Sequence, residues 1–255
     1  MKFLVGIVSF CWKLIVGVVF TITALIFYPF LAILVQRPRW QRAAFKGFVM
    51  WSWMVRILCF YHVRKLKTVE LPSTNFIIIA NHASYLDIFL LPSILPKHPY
   101  VFLGKAEILK YPLIRTYFKT FNIPVFRNNR VKAAKSYVQC KRALQNKWSL
   151  VIFPEGGIPD TDHPKMIAFK EGAFRLAKDA GVGIIPITFE NNFKLFSDPL
   201  DILGPARPGI SKVHIHPVIS AEEVILSPIS ELKNKCFEVI NAPLLERYPH
   251  LNKND

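Results

Sequence analysis

Two kinds of hydrophobic pattern divide the chain. Residues 3–35 are almost continuously apolar, and a second apolar, aromatic stretch follows at 43–61. Further along, short apolar runs alternate with amphipathic stretches, which is typical of an α/β domain. The pattern therefore predicts an N-terminal two-helix membrane anchor over 1–61 and an α/β domain over 62–255.

Within the predicted domain, the short apolar runs indicate strands and the amphipathic stretches indicate helices. We expect strands at about 75–80, 99–104, 122–126, 149–153, 183–189 and 212–218. We expect helices at about 85–95, 111–120, 131–147, 169–180 and 228–245. This alternation predicts a mixed sheet flanked by helices.

The first apolar stretch is too long for one straight crossing of a membrane. As a helix, residues 3–35 would reach roughly 50 Å at about 1.5 Å per residue, well beyond the ~30 Å hydrocarbon core. We expect a break at Pro29, because proline removes a backbone donor and clashes with the preceding turn. A cleaved signal peptide is not expected, because the apolar core is long and no A-x-A-like site follows it.

Basic residues flank both predicted anchor helices. They are Lys2, Arg37, Arg39, Arg42, Arg64, Lys65 and Lys67. Lysine and arginine concentrate on the cytoplasmic side of membrane proteins. Two topologies are open: a hairpin that crosses the bilayer twice, and a hairpin that enters one leaflet. Because no end of the hairpin lacks basic residues, the one-sided topology is favoured.

The net charge of the chain indicates which kinds of partner it can bind. The chain has 33 Lys and Arg against 17 Asp and Glu, a net charge of +16, which favours anionic partners. The basic residues flank apolar helices and form no nucleic-acid recognition motif, so membrane lipids are expected and nucleic acid is not. The four cysteines are scattered without a C-x-x-C pair, which predicts neither a disulfide framework nor a metal site.

The candidate chemistry lies just after the first apolar run of the domain. A histidine, His82, follows the strand-like run 76–80, and in α/β sheets such turns line the ligand crevice. Asp87 lies at the start of the next predicted helix, where it can fold back towards His82. Ser84 and Asp87 also fit a capping box, in which the carboxylate only satisfies a backbone N–H. Both interpretations of Asp87 are open from the sequence.

Three blocks, in the same order, resemble the glycerolipid acyltransferase family. The stretch 81–87 (NHASYLD) is similar to its N-H-x4-D motif, 123–130 (IPVFRNNR) to its arginine block, and 153–156 (FPEG) to its F-P-E-G block. The 1-acylglycerol-3-phosphate acyltransferase branch is the closest match. The resemblance covers roughly residues 60–220.

The resemblance implies acyl transfer to a hydroxyl without a covalent intermediate. His82 would act as general base on the acceptor, and Asp87 would orient the imidazole and stabilise its charged form. The residues expected to bind substrate are Asn81, Lys105, Arg127, Glu155 and Gly156, and the resemblance implies that Glu155 helps to bind the acceptor. Arg127 would contact the phosphate of a lysophospholipid. The donor would be acyl-CoA or acyl carrier protein, with no other cofactor.

The leading hypothesis is a lysophosphatidate acyltransferase that makes phosphatidic acid in phospholipid biosynthesis, on the cytoplasmic face of a membrane, the bacterial inner membrane. The sequence departs from the family pattern at Gly157 and Ile158, where Thr and Arg are most frequent, so one expected cation is missing. Two alternatives follow: an acyltransferase for another lysolipid, such as a lyso-aminolipid, and a catalytically silent lipid-binding protein. A hydrolase is disfavoured because no G-x-S-x-G elbow is present.

Overall fold

The computed structural model describes residues 2–159 and 163–252 and begins with a helical hairpin. Helix α1 (Lys2–Gln36) is followed by a 3-10 turn and by α2 (Gln41–Leu58), which packs against α1. Among the described residues, one helix, Phe3–Gln36, is long and apolar enough to cross a membrane. The division into an anchor over 1–61 and a domain over 62–255 stays a prediction.

The break expected at Pro29 is wrong, because α1 continues through this residue. Proline removes one backbone hydrogen bond, but packing holds the helix on both sides of it. Ala24 before it and Leu31 after it are buried, and the Tyr28 hydroxyl lies 2.9 Å from that of Thr116 in the domain. Tertiary contacts therefore keep α1 continuous.

Within the described residues, seven strands form one mixed sheet. They are β1 (Tyr61–Lys67), β2 (Ile77–Ala80), β3 (Tyr100–Lys105), β4 (Ile123–Val125), β5 (Ser149–Ile152), β6 (Ile184–Phe189) and β7 (Gly209–Ile215). Their order is β1-β7-β6-β2-β5-β3-β4, and all neighbours are parallel except β6 and β7. The predicted mixed α/β class is confirmed.

The helices of the domain connect and cover the sheet. They are α3 (Leu86–Ile94), α4 (Pro112–Thr120), α5 (Arg130–Gln145), α6 (Gly172–Ala180), α7 (Asn192–Leu195), α8 (Ala221–Leu226) and α9 (Ile229–Arg247). The short helices α7 and α8 and the strand β1 were not predicted. Strand β1 contains basic, mostly exposed residues, a composition that an edge strand tolerates because it pairs on one side.

The central strands β2, β5 and β6 are buried along their whole length, as expected for strands covered on both faces. The hairpin packs beside α3, the helix that follows β2. The Phe20 ring of α1 lies 5.2 Å from the Trp51 ring of α2 and 4.8 Å from the Phe89 ring of α3. The apolar hairpin and the helix that carries Asp87 therefore share one packing interface.

Candidate active site

The candidate site lies along the edge of the sheet where the parallel strands end. Strand β2 leads into His82, β3 ends at Lys105, β4 is followed by Arg127, and β5 is followed by Glu155. Because these strands run parallel, their carboxyl ends meet at one edge. Strand β6 is parallel to β2 and brings Asn192 to the same edge.

His82 and Asp87 form a buried pair. The His82 Nδ1 lies 3.0 Å from the Asp87 Oδ2, and the two residues are 8% and 0% exposed. A carboxylate can only accept, so this contact places the proton on Nδ1 and the lone pair on Nε2. His82 is therefore arranged to take a proton through Nε2.

Asp87 makes both contacts that the sequence left as alternatives. Its Oδ2 also accepts hydrogen bonds from the backbone N–H groups of Ala83 and Ser84, each at 2.9 Å. These are the capping contacts, and they close the turn that carries His82. One carboxylate oxygen thus fixes both the helix start and the imidazole.

Asn192 holds the other carboxylate oxygen and was missed by sequence reasoning. Its Nδ2 donates to the Asp87 Oδ1 at 2.8 Å across 105 positions of the chain, and Asn192 is 1% exposed. Its own Oδ1 is buried and has no hydrogen-bond partner among the described residues. No local signal marks this asparagine, because the contact depends on β2 and β6 being neighbours.

The turn that carries His82 is fixed from both sides. The Asn81 side chain exchanges two hydrogen bonds with the backbone of Phe189 at the end of β6, at 2.8 and 3.0 Å. On the other side, the His82 ring stacks on the Phe153 ring with 4.1 Å between centroids. Asn81 thus holds the turn, and its contact with a substrate stays a prediction.

Glu155 is buried beneath the turn rather than displayed at its surface. Its Oε1 accepts the His82 backbone N–H at 2.9 Å, its Oε2 accepts the Ile167 backbone N–H at 3.1 Å, and it is 3% exposed. Burial raises the pKa of the Glu155 carboxyl to about 7, the two N–H donors oppose this rise, and the charge of Asp87 adds to it. Its contact with the acceptor stays a prediction.

The raised pKa of Glu155 predicts a pH-dependent stability. A carboxyl with a higher pKa in the folded than in the unfolded protein stabilises the fold at low pH, and this contribution is lost as pH rises through the folded pKa. Between about pH 5 and about pH 8, we expect the Tm of the natural protein to fall relative to that of Glu155→Gln. Thermal unfolding in detergent measures both. The exposed Glu107→Gln variant is the control, and equal pH slopes for all three proteins would contradict the prediction.

Three cations surround the glycine turn after Glu155. The Arg127 guanidinium donates to the Gly156 carbonyl. A Cβ on Gly156 would lie 2.7 Å from the Arg127 Nη2 and 2.8 Å from the Lys170 Nζ, and one on Gly157 would lie 2.5 Å from the Lys105 Nζ. Both glycines also have positive φ, so a side chain here would be strained and would displace the cations.

Lys170 is the second residue that sequence reasoning did not assign to the site. Burial lowers the pKa of its ammonium, and the charges of Arg127 and Lys105 act in the same direction. Like charges held together favour an anion between them. Only the fold places Lys170 beside Arg127. Among the residues described, no cluster of three or more His, Cys, Asp or Glu is arranged to hold a metal ion.

Comparisons with known proteins point to one family. A family model described as "Acyltransferase" matches residues 60–190. The chain is 33% identical over 189 residues to a 1-acyl-sn-glycerol-3-phosphate acyltransferase of Saccharomyces cerevisiae. The aligned region covers 69% of this chain and 61% of the yeast protein. It is 29% identical over 174 residues to the protein of that name from Salmonella typhimurium, with 68% of each chain covered.

The match spans about six tenths of the length of the curated relatives from yeast and Chlamydomonas reinhardtii, 61% and 62%. A solved structure, that of the 1-acyl-sn-glycerophosphate acyltransferase from Thermotoga maritima, superimposes with a TM-score of 0.74 at 20% identity. It covers 97% of this chain and 98% of the other. This likeness extends the shared fold over nearly the whole chain, including the helical hairpin.

Proposed function

Because this chain belongs to the acyltransferase family, whose model matches residues 60–190, we propose that it acylates the free hydroxyl of 1-acylglycerol-3-phosphate to give phosphatidic acid. The observation that carries the proposal is the buried His82–Asp87 pair at the same sheet edge as three cations. The pair supplies a base, and the cations supply a site for the phosphate of the acceptor.

In the proposed reaction, His82 Nε2 takes the proton of the acceptor hydroxyl as its oxygen attacks the thioester carbonyl of the donor. Asp87 stabilises the imidazolium that forms, since its charge lies 3.0 Å from Nδ1. Collapse of the tetrahedral intermediate breaks the carbon–sulfur bond, and the imidazolium returns its proton to the leaving thiolate. The ester is formed, the thiol is released, and no cofactor takes part beyond the donor.

The cation cluster favours a phosphate-bearing acceptor over a lyso-aminolipid. The sequence lacks the arginine that the family pattern carries at Ile158, but Lys170 lies with Arg127 around Gly156. The planar guanidinium of Arg127 can bind two phosphate oxygens, and the ammonium groups of Lys105 and Lys170 act as point charges. The cluster thus has the charge that a phosphate monoester requires.

We also propose that the hairpin attaches the protein to one leaflet at the cytoplasmic face of a bacterial inner membrane. The exposed surface of α1 is strongly apolar, and α2 packs the hairpin against α3, so the active site lies next to the attachment. A lysophospholipid acceptor resides in the membrane, whereas acyl-CoA or acyl carrier protein, the proposed donors, arrive from the cytoplasm. The site would then meet both substrates at the interface.

The test is an acyl-transfer assay of the purified full-length protein in phospholipid vesicles. Labelled acyl-CoA and acyl carrier protein are offered in turn, with a panel of lysolipids with and without a phosphate monoester. We expect labelled phosphatidic acid from 1-acylglycerol-3-phosphate and little product from lyso-aminolipids. Equal turnover of all acceptors would reject the substrate assignment, and absence of any product would favour a silent lipid-binding protein.

Arg127→Ala is expected to weaken the use of the phosphate-bearing acceptor. Loss of a charge-assisted contact costs about 1.5 to 3 kcal/mol, which corresponds to roughly a ten- to hundredfold lower kcat/KM. Steady-state kinetics against 1-acylglycerol-3-phosphate measure the change. The matched control is Arg130→Ala, an exposed arginine at the start of α5, which should leave kcat/KM nearly unchanged. An equal loss in the two variants, or an equal loss on phosphate-free acceptors, would contradict the assignment.

A further inference from the structure

A closed loop projects beside the N-terminal half of α1. We call Ser197–Gly204 the apolar loop. Its base is an antiparallel bridge between Phe196 and Ala206, with the Ser197 N–H bonded to the Pro205 carbonyl at 2.8 Å. A Cβ on Gly204 would overlap the Asp201 carboxylate and the Ser197 hydroxyl, so the loop closes tightly on itself. It therefore has a defined shape rather than an open, extended one.

The apolar loop displays large hydrophobic side chains to its surroundings. Leu200 is 89% exposed, Ile202 is 58% exposed and Leu203 is 52% exposed. Soluble proteins carry single exposed apolar residues, but a contiguous group of them marks a surface that binds another apolar body. The tip of the loop is such a group.

Lys13 fastens the apolar loop to α1. Its ammonium donates to the Ser197 hydroxyl at 2.8 Å, to the Asp198 carbonyl at 3.3 Å and to the Asp201 carbonyl. One lysine within a strongly apolar helix thus satisfies three oxygens of the loop. It is 9% exposed, so its charge is covered by the contact.

The loop and the end of α1 form one apolar surface. A Cβ on Gly6 would lie 3.3 Å from the Leu203 Cβ, so the loop also touches α1 nearly two turns before Lys13. On the turns that flank this contact, α1 exposes Phe3 at 70% and Ile7 and Phe10 at 39% each. The exposed side chains of the loop therefore continue the exposed face of the proposed membrane anchor.

Charges of both signs lie beside this apolar surface: the loop carries Asp198 and Asp201, which face Lys13, and basic residues follow its base. Arg207 follows the base of the loop, and its charge, with that of Arg247, lowers the pKa of Lys194, for which burial is the larger cause. Apolar side chains flanked by lysine and arginine are the pattern of segments that insert at the interface of anionic membranes. A lipid surface matches both halves of this pattern, whereas a purely apolar protein partner would match only the tip.

From these contacts we propose that the apolar loop inserts into the lipid interface beside α1, as a membrane contact separate from the hairpin. The proposal rests on the membrane attachment proposed above. The base of the loop also contacts the candidate active site, because the Phe196 carbonyl accepts the Ser84 hydroxyl at 2.6 Å, and Ser84 lies in the turn between His82 and Asp87. Insertion of the loop thus places the start of α3, the helix that carries Asp87, at a fixed depth relative to the lipid.

The test places a fluorescent probe on the loop of the full-length protein. In a background with the four native cysteines replaced, Leu200→Cys is labelled with bimane and bound to vesicles of phosphatidylcholine and phosphatidylglycerol that contain doxyl-labelled lipid. The matched control is Leu226→Cys, an 82% exposed leucine on α8. We expect a blue-shifted emission at position 200 and quenching by the doxyl lipid severalfold stronger than at position 226.

Equal, weak quenching at both positions while the protein sediments with the vesicles would overturn the loop proposal and leave the proposed anchor standing. Failure to sediment would overturn both. A blue shift at position 200 that persists in detergent and is insensitive to doxyl lipid would show a protein partner or a second copy on the loop, and would also overturn the proposal. None of these measurements depends on acyl transfer, so the catalytic assignment is tested separately.

Discussion

His82→Ala is expected to abolish acyl transfer and to leave the protein folded and membrane-bound. The ring packs on Phe153 and contacts Asp87, but the backbone N–H of residue 82 still bonds to Glu155 in the variant. A positioned general base contributes about 10²- to 10⁴-fold, so a loss of at least that size should appear in kcat. The acyl-transfer assay measures it.

The control for this variant is His62→Ala, which removes an exposed histidine from β1. His82→Gln is a second variant that keeps most of the side-chain volume and guards against misfolding. Thermal unfolding and vesicle sedimentation show whether each variant is intact. Activity of His82→Ala within about tenfold of the natural protein, a difference of only about 1.4 kcal/mol in the barrier, would reject His82 as the base.

The sequence indicated the central strands well because burial on both faces leaves a continuous apolar run. Strands β2, β5 and β6 fall within their predicted spans for this reason. Strand β1 was missed because its exposed basic residues match those expected beside a membrane anchor. Pro29 was overinterpreted for a related reason: local propensity predicts a break, whereas packing of Tyr28 and Leu31 decides the outcome.

Some contacts of the candidate site join residues that are close in sequence, and others join residues that are far apart in sequence. His82 and Asp87 are five positions apart, so a local turn can join them, and the sequence suggested the contact. Asn192 and Lys170 reach the site only through the strand order, which a single sequence does not display. The resemblance did direct attention to Glu155, but its burial under the turn depends on the segment around Ile167 folding back over β5.

Asp87→Asn is expected to lower kcat by two or more orders of magnitude with little loss of stability. The side-chain contact between Asp87 and Asn192 explains why stability is kept. The oxygen of the new amide can still accept the ring Nδ1–H of His82 and the backbone N–H groups of Ala83 and Ser84, so the turn stays closed. The NH₂ group of the new amide would face the NH₂ group of Asn192, which would bring two donors into contact. Rotation of the Asn192 amide removes this conflict, because its unpartnered oxygen then accepts the new hydrogen bond.

No such rearrangement restores the rate of acyl transfer. A neutral amide beside Nδ1 cannot stabilise the imidazolium that forms when His82 takes the hydroxyl proton, so the barrier rises although the ring keeps its place. Rates in the acyl-transfer assay and Tm in detergent separate the two effects. Asn192→Ala in the Asp87→Asn background is the matched control, since it removes the rotating partner and should lower Tm without a further large loss of rate. If Asp87→Asn instead lowered Tm strongly and left kcat within tenfold, Asp87 would be a helix cap and His82 would act without it.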